Sequence, residues 1–171
     1  GDFSQGSAYY NLYHGEVEVK LMNSMKYDAC TIGNHEFDYG LDNLARLISM
    51  ANFPFVCCNY DFTGTPCEHL VKPYIGICPQ PEGLITKSNY EPMQYIDPAV
   101  AAQPVIDTLR QKEHCELVIC LSHLGWSKGK GYDPDFISQT TGIDLLLGGH
   151  THTYFTHPER AFDKAGHEVM V

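Results

Sequence analysis

Three short apolar runs end in the same way. "DACTI" (residues 28–32) stops at Gly33 and is followed by Asn34 and His35, and "LVICL" (117–121) stops at Ser122 and His123. "IDLLL" (143–147) stops at Gly148 and Gly149, followed by His150 and His152. Segments of helical period lie between such runs. Val17, Leu21, Met22 and Met25 form one set, and Leu41, Leu44, Ala45 and Ile48 fall at i, i+3, i+4 and i+7 of another. "FPFVCCN" (53–59) is a further apolar run. Asp97 followed by Pro98 signals a helix start leading into Val100, Ala101, Val105 and Leu109, with Pro104 expected to kink or shorten it. "DPDFISQTTG" supplies one more helix. Short apolar strands alternating with amphipathic helices specify an α/β fold, and uninterrupted apolarity is expected where both faces of a sheet are covered. Residues 60–97, rich in Pro, Gly, Tyr and Asn, are expected to be surface loops.

The remaining bulk features narrow the function. At 171 residues and 43% hydrophobic, the chain suits one globular domain. Asp and Glu number 21 against 11 Lys and Arg, a formal charge of −10, which argues against a surface that tracks a nucleic-acid polymer. No stretch reaches the roughly 18 apolar residues of a membrane span. The seven cysteines (30, 57, 58, 67, 78, 115 and 120) show no C-x-x-C spacing, and several lie in apolar runs, so they are expected to be structural thiols.

In sheets of this kind ligands bind beyond the carboxyl ends of the strands. Asn34, His35, His123, His150 and His152 are therefore carried toward one rim, and Asp2 joins them if a strand ends at Gly1. Imidazole, carboxylate and amide oxygen together suit borderline or hard divalent ions. Each residue alone has an ordinary explanation. A single His after a strand is more often a hydrogen-bonded side chain than a ligand, and His14, His69, His114, His157 and His167 keep that reading. Asn34 alone suits a turn, and Glu36 and Asp38 suit a helix N-terminus. The conjunction of three strand ends, each delivering a ligand-type residue, is what points to a metal site.

"GDFSQGS", "GNHEFD", "SHLG" and "GGHTH", in that order, resemble the calcineurin-like metallophosphoesterases, and within them the 5′-nucleotidase branch. The resemblance implies a four-layer α/β/β/α sandwich holding two divalent metal ions (Zn, Mn, Fe, Mg or Ca). It assigns Asp2 as the carboxylate bridging both metals, Asn34, His123 and His150 as further ligands of one, and His152 as a ligand of the other. His35 matches the catalytic histidine and Asp38 the acid that orients it, while Glu36 is left a structural or supporting role. The implied reaction is hydrolysis of a nucleoside 5′-monophosphate, or another small phosphate ester, by a metal-activated hydroxide. UDP-sugar hydrolysis and 2′,3′-cyclic-nucleotide phosphodiester cleavage are the alternatives in the same family, and a non-catalytic metal-binding scaffold is the alternative of another class.

The sequence departs from the family pattern at more than one place: the hairpin of about a dozen residues that members usually carry between "VKPY" and "IGICPQPEGLI" is missing, and so is the further strand with which they usually continue past "GHEVMV". Members begin with a strand carrying Asp-x-His, and no Asp stands two residues before any of the nine His here. Residues 1–171 are accordingly expected to be a metallophosphoesterase domain lacking that first strand and the C-terminal nucleoside-binding domain, which would come from the same chain or from a partner. The resemblance also implies a periplasmic, cell-surface or secreted location.

Overall fold

The computed structural model describes residues 1–171. Two helices, α1 (Ala8–Tyr13) and α2 (Glu16–Met25), lead into β1 (Cys30–Thr31), a 3-10 turn (His35–Phe37) and α3 (Gly40–Met50). Then follow β2 (Phe55–Val56), β3 (Tyr60–Asp61), β4 (Gly76–Ile77), a second 3-10 turn (Lys87–Asn89), β5 (Gln94–Tyr95) and α4 (Pro98–Gln111). The chain closes with β6 (Ile119–Ser122), α5 (Asp133–Gln139), β7 (Leu145–Leu147), β8 (Arg160–Phe162) and β9 (Glu168–Met170).

β1 pairs in parallel with β2, β3 pairs antiparallel with β5, and the main sheet runs β4-β6-β7-β9-β8. The main sheet is parallel except for the β8–β9 hairpin. Two apolar cores give the layers. Met22 of α2 and Leu41, Leu44 and Ile48 of α3 pack on Cys30, Ile32 and Phe55 of the small sheet. Ala102 and Ile106 of α4 and Phe136 and Ile137 of α5 pack on Val118, Cys120 and Leu146 of the main sheet. The order is therefore helix, sheet, sheet, helix.

Several local expectations are corrected. α4 runs unbroken through Pro104. The amide that proline lacks would have bonded the carbonyl of Val100, which lies on an exposed turn where water can serve it. On α2 the buried residues are Val19 and Met22, whereas Leu21 and Met25 are exposed. Residues 60–97 contain β3, β4 and β5 rather than loops alone. The apolar strands are also not covered on both faces. Ile119 and Leu147 are about half exposed and, with Met25, Tyr27, Val56 and Leu121, line an apolar groove of about 660 Å³ between the two sheets. All seven cysteines are free thiols, five of them buried, as expected of structural residues.

Candidate metal centre and histidine dyad

Two segments far apart in sequence are bound together by one carboxylate. Glu36, 1% exposed, accepts the backbone N–H groups of Asp2 at 2.7 Å and Gly33 at 2.6 Å through Oε2. Its Oε1 accepts the Ser4 hydroxyl at 2.9 Å and the Ser4 N–H at 3.3 Å. The loop after Gly1 is thereby laid on the turn after β1, with Asp2 in the left-handed region at φ 57°. Gly33 makes the approach feasible, because a Cβ there would fall 2.2 Å from Asp2 Oδ1. Asp2 Oδ1 then accepts the His35 N–H at 2.9 Å.

The other Asp2 oxygen faces β6 and β7. His123, 2% exposed at the end of β6, sets Nε2 2.7 Å from Asp2 Oδ2, close enough for charge attraction but out of line for a hydrogen bond. Burial of Asp2 pulls its pKa up, but the His123 imidazole and the His35 amide outweigh it, and the carboxyl is pushed down to about 2. Beyond β7, Gly149 lies so close to His123 that a Cβ would stand 3.1 Å from Nδ1. That closeness brings the half-buried His150 alongside, its ring 5.1 Å from that of His123 at 63°. One ligand-type atom from each of Asp2, His123 and His150 lies within 4.8 Å of the others. Burial and the neighbouring His123 lower the His150 pKa, which favours the neutral ring that can donate a lone pair.

Asn34 Oδ1 and both ring nitrogens of His123 are buried without a hydrogen-bond partner. Orphaned buried polar atoms are rare, each costing about 1–3 kcal/mol. His123 stands with the ionised Asp2 and His150 in one cluster, and Asn34 lies in sequence between Gly33 and His35, both of which touch Asp2, so amide, carboxylate and imidazole, the donor types a divalent cation takes, are all offered here. The residues present fit one such ion. His152, exposed at φ 53°, is not brought into this cluster.

His35 and Asp38 form a separate pair beside the cluster. His35 Nδ1 lies 3.0 Å from Asp38 Oδ2, and because a carboxylate only accepts, Nδ1 is the donor and Nε2 is left free. Two partners invisible in the sequence join them. The Tyr10 hydroxyl lies 3.0 Å from Asp38 Oδ2 and 3.1 Å from the His35 carbonyl, and Asn89 Nδ2 donates to the Asp38 carbonyl at 2.9 Å. Tyr10 and Asn89 follow no apolar run, so only the packing of α1 and the second 3-10 turn on the dyad reveals them.

The description "Calcineurin-like phosphoesterase" belongs to a family profile that matches residues 1–154. The chain belongs to the calcineurin-like phosphoesterase family. This is a family of hydrolases that work with divalent metal ions, in keeping with the donor set above. Over 168 residues, this calcineurin-like phosphoesterase domain is 30% identical to the snake venom 5′-nucleotidase of Crotalus adamanteus, a match covering 90% of this chain and 28% of that protein. It superposes on the 5′-nucleotidase precursor of Thermus thermophilus with a TM-score of 0.80 at 25% identity, covering 98% of this chain and 37% of that one. The fold is also shared with the NAD nucleotidase of Haemophilus influenzae, with a TM-score of 0.84 at 22% identity over 98% of this chain and 37% of that one. The chain thus spans little more than a third, at most, of the length of these relatives.

Proposed function

We propose that this domain hydrolyses a small phosphate ester, a nucleoside 5′-monophosphate in the first place, to the nucleoside and inorganic phosphate. The observation that carries the reading is the buried, unpartnered donor set of Asn34 Oδ1 and His123 beside the ionised Asp2. Asp2, Asn34, His123 and His150 are its ligands for one divalent ion, and Asp2 with His152 its contribution to a second. Ions held there supply charge neutralisation for the phosphoryl group and a lowered pKa for the attacking water. His35, when its ring is protonated on both nitrogens, donates through Nε2 to the phosphoryl or leaving oxygen while Asp38 accepts its Nδ1–H, and the neutral Nδ1–H ring is what remains afterwards. Phosphoryl transfer asks mainly for positioning and electrostatics, which suits a rim where all these groups are preset by strand ends.

The proposal extends to the rest of the molecule. Residues 1–171 act as the catalytic domain of a longer chain, in keeping with relatives roughly three times its length. A strand bearing Asp-x-His completes the second metal position. A nucleoside-gripping C-terminal domain and a periplasmic, surface or secreted location belong to the same reading, the latter supported by relatives named as venom proteins.

The test is phosphate release from AMP, set beside cleavage of UDP-glucose to UMP and glucose 1-phosphate and opening of 2′,3′-cyclic AMP to a nucleoside monophosphate, by wild type and His35→Ala, with metal content measured on both. Metal retained with release lost by about 10²- to 10⁴-fold supports the reading. Metal bound by a wild-type protein that hydrolyses none of the three overturns it in favour of a scaffold.

A further inference from the structure

Tyr10 sits on α1, which is held in place by its own cap and by aromatic packing. Ser7 Oγ accepts the Tyr10 N–H at 3.1 Å and donates to Glu18 at 2.7 Å, fixing the helix start. The Tyr10 ring, 5% exposed, meets Tyr39 edge-on at 5.3 Å, and Tyr39 in turn stacks on His14 at 3.8 Å. The hydroxyl therefore reaches the dyad from a rigid, buried seat. It has one proton and two acceptors, Asp38 Oδ2 at 3.0 Å and the His35 carbonyl at 3.1 Å. His35 Nδ1 uses the same Asp38 oxygen, at 3.0 Å.

The Asp38 side chain is more than a third exposed and, apart from these two donors, touches solvent. With His35 as its sole partner the carboxylate would be free to turn, and the ring to choose either tautomer. The geometry points to Tyr10 as a positioning residue: by pinning Asp38 Oδ2 and the His35 carbonyl together, its hydroxyl fixes the Nδ1–H tautomer of His35 and leaves Nε2 free to face substrate. Burial, and then the Asp38 charge, push the Tyr10 pKa well above its ordinary value, so the hydroxyl stays a donor throughout the working pH range. Asn89 restrains the Asp38 backbone from the other side, which leaves the side-chain rotamer as the freedom that Tyr10 removes.

The catalytic consequence rests on the function proposed above, and the structural one does not. Tyr10→Phe keeps the ring in its seat and deletes only the hydroxyl. The tautomer is read on the metal-free protein from the ¹⁵N shifts of the His35 ring, at a pH where the ring is neutral. Wild type is expected to show one Nδ1–H tautomer and Tyr10→Phe a mixture. On AMP, kcat is expected to fall about fivefold with KM unchanged, the effect of losing one net hydrogen bond in orienting the ring. Adding Tyr10→Phe to Asp38→Ala should cost nothing further, because Tyr10 acts through Asp38. An unchanged tautomer in Tyr10→Phe, or the same kcat loss with and without Asp38, would overturn the assignment. Absence of phosphate release by wild type would count against the proposed function alone, leaving the tautomer measurement to decide the role of Tyr10.

Discussion

Glu36 Oε2 accepts the N–H of Asp2 at 2.7 Å and that of Gly33 at 2.6 Å, so a single buried carboxylate holds a metal-ligand candidate against the strand end that carries another. Glu36→Ala would leave those two amides and both Ser4 donors unpaired in a dry site. Stability should fall by about 3–5 kcal/mol, measured by urea unfolding, and divalent-ion affinity should fall with it. Glu36→Gln should recover part of the stability only, because one of its oxygens becomes a donor facing donors.

Gly33→Ala tests the close approach directly. A methyl group 2.2 Å from Asp2 Oδ1 has nowhere to go unless the Asp2 loop lifts away. The expected result is a loss of about 1–3 kcal/mol in stability, together with weakened metal binding seen by calorimetry. Unaltered metal affinity would mean that Asp2 does not need this seat.

Asp133 gives the fold a pH dependence. It is 1% exposed, accepts the Ser122 hydroxyl at 2.5 Å, and burial pushes its pKa up to about 7 despite that bond. A carboxyl whose folded pKa lies above its unfolded value contributes stability that is fully present below the unfolded pKa, near 3.8, and lost as pH rises through about 7. Between those values the native state should bind about one more proton than the unfolded state at this group, and unfolding free energy should fall with pH. Asp133→Asn should flatten that slope. Asp2, held down at about 2, works in the opposite sense: its contribution is present above its unfolded value and is lost as pH falls toward 2. Urea unfolding across pH 2–8 separates the two.

Thiol labelling checks the packing. Cys30, Cys57, Cys67, Cys78 and Cys120 are buried, and Cys58 is pushed up to about 12 by burial, so Cys115 should react first under native conditions. All seven should label in denaturant without reductant. Fewer than seven would reveal a disulfide.

What could be read from the chain alone was the placement of residues at strand ends. His123 and His150 follow apolar runs whose parallel pairing puts their ends side by side, so the rim that collects them was legible. The departures have physical causes. His152 follows His150 by two residues, but both stand in left-handed conformations, and the chain turns outward between them. Expected strands shrank to two residues at β1 and β2, since an apolar run reports burial and not the length of a hydrogen-bonded ladder. Tyr10, Glu36 and Asn89 act across separations of 28, 34 and 51 residues, contacts that carry no local periodicity. The apolar groove beside Ile119 and Leu147 was likewise hidden, because a run of apolar residues looks the same whether one face or both are covered.

The central claim is that Asp2, Asn34, His123 and His150 hold a divalent ion. Calorimetric titration of the chelator-treated protein with Mn²⁺, comparing wild type with His123→Ala, tests it most directly. At least one ion bound per chain by wild type, and a loss of affinity of a hundredfold or more (about 2.7 kcal/mol) in His123→Ala, is the expected result. No binding by wild type, or equal binding by both, would contradict it.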